Sequence, residues 1–192
     1  TPVCLPPGPD VCHVVDGQAE CYCPEGTEPG ATGCYEVGHR AFVTSLSVGP
    51  ANLLGPEGGD TLCNSLAQAA GLSGNFVAWL SVPGTPAITR VAGGGPWRTF
   101  DATDGLWTAL VANDADDLAD GSIGAPLRHN EHGVEVATPC SVWTGTEANG
   151  EGPGAESPLY ESCGGWAAAD GGEYALAGRC DASHEEWTAS TP

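Results

Sequence analysis

Apolar residues fall into short runs set apart by long stretches rich in glycine and proline. Ala41-Phe42-Val43-Thr44-Ser45-Leu46 has the aromatic and β-branched make-up of a strand. A Gly- and Pro-rich loop follows over 49–59. Thr61 to Ala70 then places apolar residues at 62, 63, 66, 67 and 70, which is one face of a helix. Asp60 is its expected N-cap and Gly71 lies just past its end. Phe76-Val77-Ala78-Trp79-Leu80 predicts a second strand. Residues 105–111 predict a third strand or a helix edge, and 141–146 a late strand. One strong helix among short strands and long loops predicts an α+β domain, with any function carried by the loops. No internal repeat is evident.

Residues 1–37 break this pattern. They have few large apolar residues but hold Cys4, Cys12, Cys21, Cys23 and Cys34, five of the nine cysteines. So short a segment buries too little core to hold itself together and needs covalent staples, each contributing roughly 2–4 kcal/mol. The chain is therefore expected to divide into a disulfide-rich module over 1–37 and a larger domain over 38–192.

Composition sharpens the class. Gly and Pro make up almost a quarter of the 192 residues (29 and 16), yet six tryptophans are present. That combination predicts a loop-rich fold with a real core rather than disorder. The formal charge is −20, with five basic residues that are all arginine. Phosphate backbones and anionic lipid surfaces would be repelled, which argues against nucleic acid and membrane-surface partners. No apolar stretch is long enough to span a bilayer, so no membrane insertion is expected. Nine cysteines without zinc or haem spacing argue for an oxidising, extracellular setting, secreted or at a cell surface. The odd count leaves at least one thiol without an intrachain partner. The chain starts at Thr1 and has no methionine, as expected of a mature or trimmed chain.

Two stretches resemble known families. Cys12, Cys21, Cys23 and Cys34, with turns at Pro24-Glu25-Gly26 and Gly33, resemble the second half of an epidermal-growth-factor-like module. That resemblance implies a Cys23–Cys34 bridge and a partner for Cys4 in Cys12 or Cys21. A generic disulfide-rich linker is the other reading.

The second resemblance covers about residues 41–187. It rests on Phe42-Val43-Thr44-Ser45, Gly59-Asp60 with Cys63, 69–74, and Phe76 to Ser81. Further on come 116–123, Val142-Trp143-Thr144-Gly145-Thr146 with Asn149-Gly150, and Cys163 followed by Trp166. This run resembles endostatin, the C-terminal domain of certain collagens, and still more a family of bacterial surface domains of the same fold. It implies a C-type-lectin-like (endostatin-like) architecture: a compact mixed sheet, flanking helices and long irregular loops. It also implies bridges from the helix cysteine and from the Cys163 position to cysteines in or near a final strand. This sequence departs there, because no closing cysteines follow Trp187. Cys140 and Cys180 are additional to the family pattern and can pair with each other. Cys63 and Cys163 then either pair together or await residues beyond this chain.

Several clusters carry candidate chemistry. Asp114, Asp116, Asp117 and Asp120 form the densest oxygen cluster, and calcium takes six to eight such ligands. Helix caps and a solvated acidic face are the competing reading. Glu147 and Asn149 stand where calcium-dependent lectins carry a Glu-Pro-Asn, with Ala148 in place of the proline. Trp97, beside Gly93-Gly94-Gly95-Pro96, is the tryptophan expected to be exposed and able to stack on a sugar or protein. His129 and His132 have a spacing that zinc or nickel could use, against a structural role. No nucleophile elbow, phosphate loop or dinucleotide motif is present. These features point to a non-catalytic extracellular module that recognises or adheres to a protein or glycan. It needs no cofactor, with calcium the one candidate. The alternatives are a self-assembling subunit of a filament or coat, and a calcium-dependent lectin.

Overall fold

The structure, a computed structural model, describes residues 12–15, 18–21, 27–30, 33–36, 38–91, 94–155, 157, 162–167 and 175–190. Toward the N-terminus two antiparallel pairs are formed. β1 (Cys12–Val15) pairs with β2 (Gln18–Cys21), and β3 (Thr27–Gly30) with β4 (Gly33–Glu36). Asp16-Gly17 separates the first pair, a dipeptide suited to a two-residue hairpin. Backbone register sets Cys12 opposite Cys21 and Cys34 opposite Pro29. Cys4 and Cys23, and with Cys23 the expected Cys23–Cys34 bridge, lie outside the described residues.

From Gly38 onward the chain is α+β. β5 (His39–Arg40) runs parallel to β6 (Trp97–Asp101), which pairs antiparallel with β7 (Leu106–Ala112). A second ladder joins β8 (Ser141–Trp143) to β9 (Ala177–Arg179). Among the described residues, α-helices punctuate the loops at α1 (Pro56–Ala69), α2 (Ala87–Arg90) and α3 (Ala115–Leu118). Of the two readings for 105–111, the strand is the one formed.

α1 ends as its sequence predicts. Gly71 adopts φ +78°, its N–H bonds to Gln68 O, and Leu72 N bonds to Ala67 O. That pair of bonds is the Schellman closure, which favours glycine at the left-handed position. The start differs from expectation. The helix begins a full turn earlier, at Pro56, and Asp60 lies inside it rather than capping it. Tertiary contact overrides the poor helix propensity of Gly58 and Gly59. A Cβ on Gly59 would sit 2.7 Å from Leu80 Cδ1 and 2.9 Å from Ala78 Cβ, so only glycine lets the helix lie this close to the 76–80 segment.

The 41–46 and 76–80 segments, expected as strands, pair in no ladder. Their backbone groups find partners elsewhere, as buried amides must. Asn64 of α1 brackets Phe76, accepting from its N–H at 2.9 Å and donating to its carbonyl at 2.7 Å. Ala78 N donates to Asp60 at 2.7 Å, and Arg90 of α2 donates to Ala78 O at 2.6 Å. Helix side chains thus stand where a neighbouring strand would. In the 41–46 segment, Ala41 N reaches Arg98 O and Val43 N reaches His129 O.

Two apolar clusters form the core. Val111, Ala112, Leu118, Ile123 and Trp187 make one, and Leu53, Ala78, Leu80 and Trp166 the other. Trp166 reaches its place through a turn in which Ser162, Cys163, Gly164, Gly165 and Trp166 all have left-handed φ between 47° and 68°. Each non-glycine residue there costs about 1–2 kcal/mol. The turn delivers a fully buried indole whose Nε1 donates to Ser81 O at 3.0 Å. Around it Ser81, Thr144, Thr146 and Thr188 satisfy one another's hydroxyls in the interior.

The Cys140–Cys180 bridge is formed, with a Cα separation of 5.7 Å. It clips the β8–β9 ladder one residue beyond the Ser141–Arg179 pair. Closing 40 residues of chain, it contributes about 4 kcal/mol in a chain-entropy account. Cys63 carries a free thiol, so the Cys63–Cys163 alternative is not realised.

Candidate binding grooves

Two grooves open on this core and share a wall of Phe42, Cys63, Ala78, Trp79, Leu127 and Trp187. The smaller, of about 330 Å³, runs between the 42–48 segment and the β8–β9 ladder. The Cys140–Cys180 bridge is part of its wall, with Leu46, Val48, Val142 and Trp143 beside it. Leu46 is 50 % exposed and Trp143 40 % exposed. The Trp143 indole does not swing freely: Nε1 donates to Val48 O at 3.2 Å, and its ring lies 6.1 Å from that of Trp166. Arg179 borders the same groove and is held by Asp181 (3.0–3.1 Å) and Glu186 (3.3 Å). The hydrogen bond from Arg179, together with its charge, keeps the Asp181 carboxyl below the ordinary range.

The larger groove, of about 550 Å³, is bordered by β5, the 73–79 segment and α2. Trp97 sits here, half-buried, its ring 6.0 Å from that of His39 and packed against the Val111 cluster. The expectation of an exposed Trp97 is therefore corrected. Trp143 is the exposed tryptophan, because the cluster around Val111 draws the Trp97 ring inward. Trp187 borders both grooves at 4 % exposure, and its Nε1 has no hydrogen-bond partner among the described residues. An unmet buried donor of this kind costs about 1–3 kcal/mol. The adjacent Trp79 indole, by contrast, donates to Thr188 Oγ1 at 2.9 Å.

Cys63 lines both grooves and carries a free thiol. Burial first, then the nearby Asp60 carboxylate, pushes it up to about 11, so it is overwhelmingly neutral at pH 7.

The acidic cluster has its carboxylates turned to local work. Asp114 caps α3, accepting from Asp117 N at 3.0 Å. Asp117 accepts from Asn113 N and Nδ2 at 2.7 and 2.8 Å, and Asp120 from Ser122 N and Oγ. Asp116 is exposed. These four residues occupy one short helical turn and its flanks rather than converging on a point. No group of three or more His, Cys, Asp or Glu among the described residues is placed to hold a metal ion.

Glu147 and Asn149 are both exposed, on a turn closed by Gly150 N to Glu147 O at 2.9 Å. Asn149 Oδ1 accepts from Glu151 N, so that oxygen serves the turn. Neither residue borders the two grooves. His129 and His132 flank a tight reversal in which Asn130 Oδ1 accepts from His132 N and Val134 N. The His129 ring packs on Phe100 at 5.5 Å, and the half-exposed His132 places Nε2 3.7 Å from Glu131 Oε1.

Glu131, between them, was not singled out by sequence. Its side chain is fully buried, accepting from Ser45 N at 2.9 Å and from Ser45 Oγ. Burial pushes its carboxyl up, but the Ser45 hydrogen bonds outweigh this and hold it below the usual value. Glu131 thereby fastens the 42–46 segment, which has no ladder partner. A lone Glu in a polar run gives no periodic signal, so nothing in the sequence distinguishes it.

No helix among the described residues is long and apolar enough to cross a membrane. Comparison with protein-family models finds no match to this chain, and neither does comparison with curated proteins.

Proposed function

We propose that residues 38–192 form a non-catalytic extracellular recognition module of C-type-lectin-like (endostatin-like) type, which holds an apolar segment of a protein partner. The observation that carries this reading is the smaller groove, an apolar trough with a covalently fixed wall and the ring of Trp143 fixed at its mouth. Pre-set aromatic groups of this kind dominate binding energy, because little conformational freedom is lost on contact. A bridge in the groove wall keeps two loops from parting and suits the oxidising setting that nine cysteines suggest. An apolar trough favours a protein segment over a sugar, whose hydroxyls need several convergent polar groups. The candidate sugar ligands Glu147 and Asn149 stand elsewhere, which lends the calcium-lectin alternative little support. The surrounding charge of −20 favours neutral or basic partners and a salt-sensitive association rate.

A selection of displayed peptides on the intact chain tests this. Enriched peptides are expected to be apolar, and to bind the Trp143→Ala variant at least tenfold more weakly, the loss typical of a tryptophan anchor. Failure of any peptide to enrich over a control surface, or equal binding to wild type and Trp143→Ala, would refute the proposal.

A further inference from the structure

We infer that the larger groove is a second, separate site, for a small neutral molecule with an apolar body and one carbonyl oxygen. Its volume of about 550 Å³ lies within the range of small-molecule sites, roughly 300–1,000 Å³. Phe76, Trp79, Trp97, Val111 and Leu118 line it with aromatic and aliphatic side chains, which suit an apolar body. One polar atom there calls for a partner. Trp187 is 4 % exposed, and its indole N–H has no hydrogen-bond partner among the described residues. Buried donors are nearly always bonded, and an oxygen of a ligand would meet this one. Trp187 lines both grooves, but its surroundings belong to the larger. It is part of the Val111 cluster, in which Val111 and Leu118, with Val91 and Trp97 packed against the cluster, line the larger groove alone. Ile123 is the other buried member that lines the smaller. An indole N–H donates and cannot accept, so the ligand brings the acceptor. A carbonyl oxygen supplies it without the desolvation cost of a charge. The chain's charge of −20 further favours a neutral ligand over an anion. A site with a buried donor also rejects an analogue that lacks the acceptor, because the donor then stays unmet.

The probes are 6-propionyl-2-(dimethylamino)naphthalene, which has one ketone, and its 6-propyl analogue, which has none. Both are titrated against the full chain and followed by probe fluorescence and calorimetry. Saturable 1:1 binding of the ketone is expected. Trp187→Phe keeps an aromatic ring and removes the donor. It should weaken the ketone about three- to tenfold and leave the propyl analogue within about twofold. On the wild-type chain, the ketone should move the Trp187 indole N–H signal downfield in a proton–nitrogen correlation spectrum, as a new hydrogen bond does, and the propyl analogue should not. That readout does not depend on any variant folding. Trp97 lines the larger groove alone, and Trp97→Ala should weaken both probes roughly tenfold. Trp143 lines the smaller groove alone, and Trp143→Ala should leave both unchanged. Thermal melts report whether each variant keeps its fold. Absence of saturable binding up to the solubility of the ketone, equal losses for the two probes in Trp187→Phe, or a Trp187 signal that the ketone leaves in place would overturn the inference. Binding lost in Trp143→Ala and kept in Trp97→Ala would overturn it too. Its failure would leave the peptide reading untouched, since that reading concerns the other groove and a different probe.

Discussion

Asp60 ties three parts of the fold together, and its replacement has a calculable cost. Its carboxylate accepts from Ala78 N at 2.7 Å and from Arg90 Nη2 at 2.7 and 2.8 Å, joining α1 to both the 76–80 segment and α2. The Arg90 side chain is 10 % exposed and that of Asp60 28 %. Removing one partner of a buried ion pair costs about 3–5 kcal/mol, because the other charge stays desolvated. The partial exposure of Asp60 places Asp60→Ala at the low end, about 3 kcal/mol. Arg90→Met removes the guanidinium but leaves Asp60 its bond to Ala78, and should cost about 2 kcal/mol. If the pair acts as a unit, Asp60→Ala/Arg90→Met should cost about 3 kcal/mol rather than the additive 5, a coupling of about 2 kcal/mol. Urea unfolding of the four proteins, with unchanged slope and shifted midpoint, gives these values. A loss below about 1 kcal/mol for Asp60→Ala, or a coupling within the ~0.5 kcal/mol scatter of independent sites, would refute the helix-to-segment latch.

Three further outcomes follow from the same structure. Glu131→Gln exchanges an ionised acceptor of two Ser45 hydrogen bonds for an amide and should cost about 2 kcal/mol at pH 7, a fall in Tm of about 4–8 °C. Because the folded carboxyl lies below its unfolded value near 4.3, this stabilisation is complete above about pH 4.3 and lost as pH falls through the folded value; the variant's deficit should therefore close in acid melts. Reducing Cys140–Cys180 should lower stability by about 4 kcal/mol, visible as a drop in Tm with reductant that Cys140→Ser/Cys180→Ser abolishes. Cys63, with a thiol pushed up from 9.0 to about 11, has about 100-fold less thiolate at pH 7. Its higher intrinsic nucleophilicity returns most of a factor of about ten, so a disulfide reagent should label it on the order of 10-fold more slowly than in urea; equal rates would place the thiol in solvent.

The sequence is legible where local chemistry decides. The body and end of α1 follow from apolar spacing and Gly71, the apolar run of β7 left a strand and a helix edge both open, and the Cys140–Cys180 bridge is one of the pairings the cysteines allowed. It is illegible where distant groups decide. Asp60 looks like an N-cap because Asp before an apolar helical run usually is one, and only the approach of Ala78 and Arg90 gives it a different task. The 41–46 and 76–80 runs have strand composition, yet Asn64, Asp60 and Glu131 take the bonds a neighbouring strand would make. Trp97 beside a glycine run promises exposure, but contact with the Val111 cluster brings it inward and leaves Trp143 at the surface. Of the acids at 114–120, Asp114 has the capping task that the competing sequence reading allowed. The grooves are not readable from sequence, because their walls join residues nearly 150 positions apart, from His39 and Phe42 to Trp187.

The tryptophan indoles provide the most direct test of recognition through the smaller groove. Six tryptophans give at most six indole N–H signals in a proton–nitrogen correlation spectrum, one of them assignable by its loss in Trp143→Ala. Titrating in the tightest selected peptide should shift or broaden the Trp143 signal strongly, together with backbone amides at Leu46, Val48 and Val142. A peptide that binds while the Trp143 signal and those amides stay in place would contradict the account.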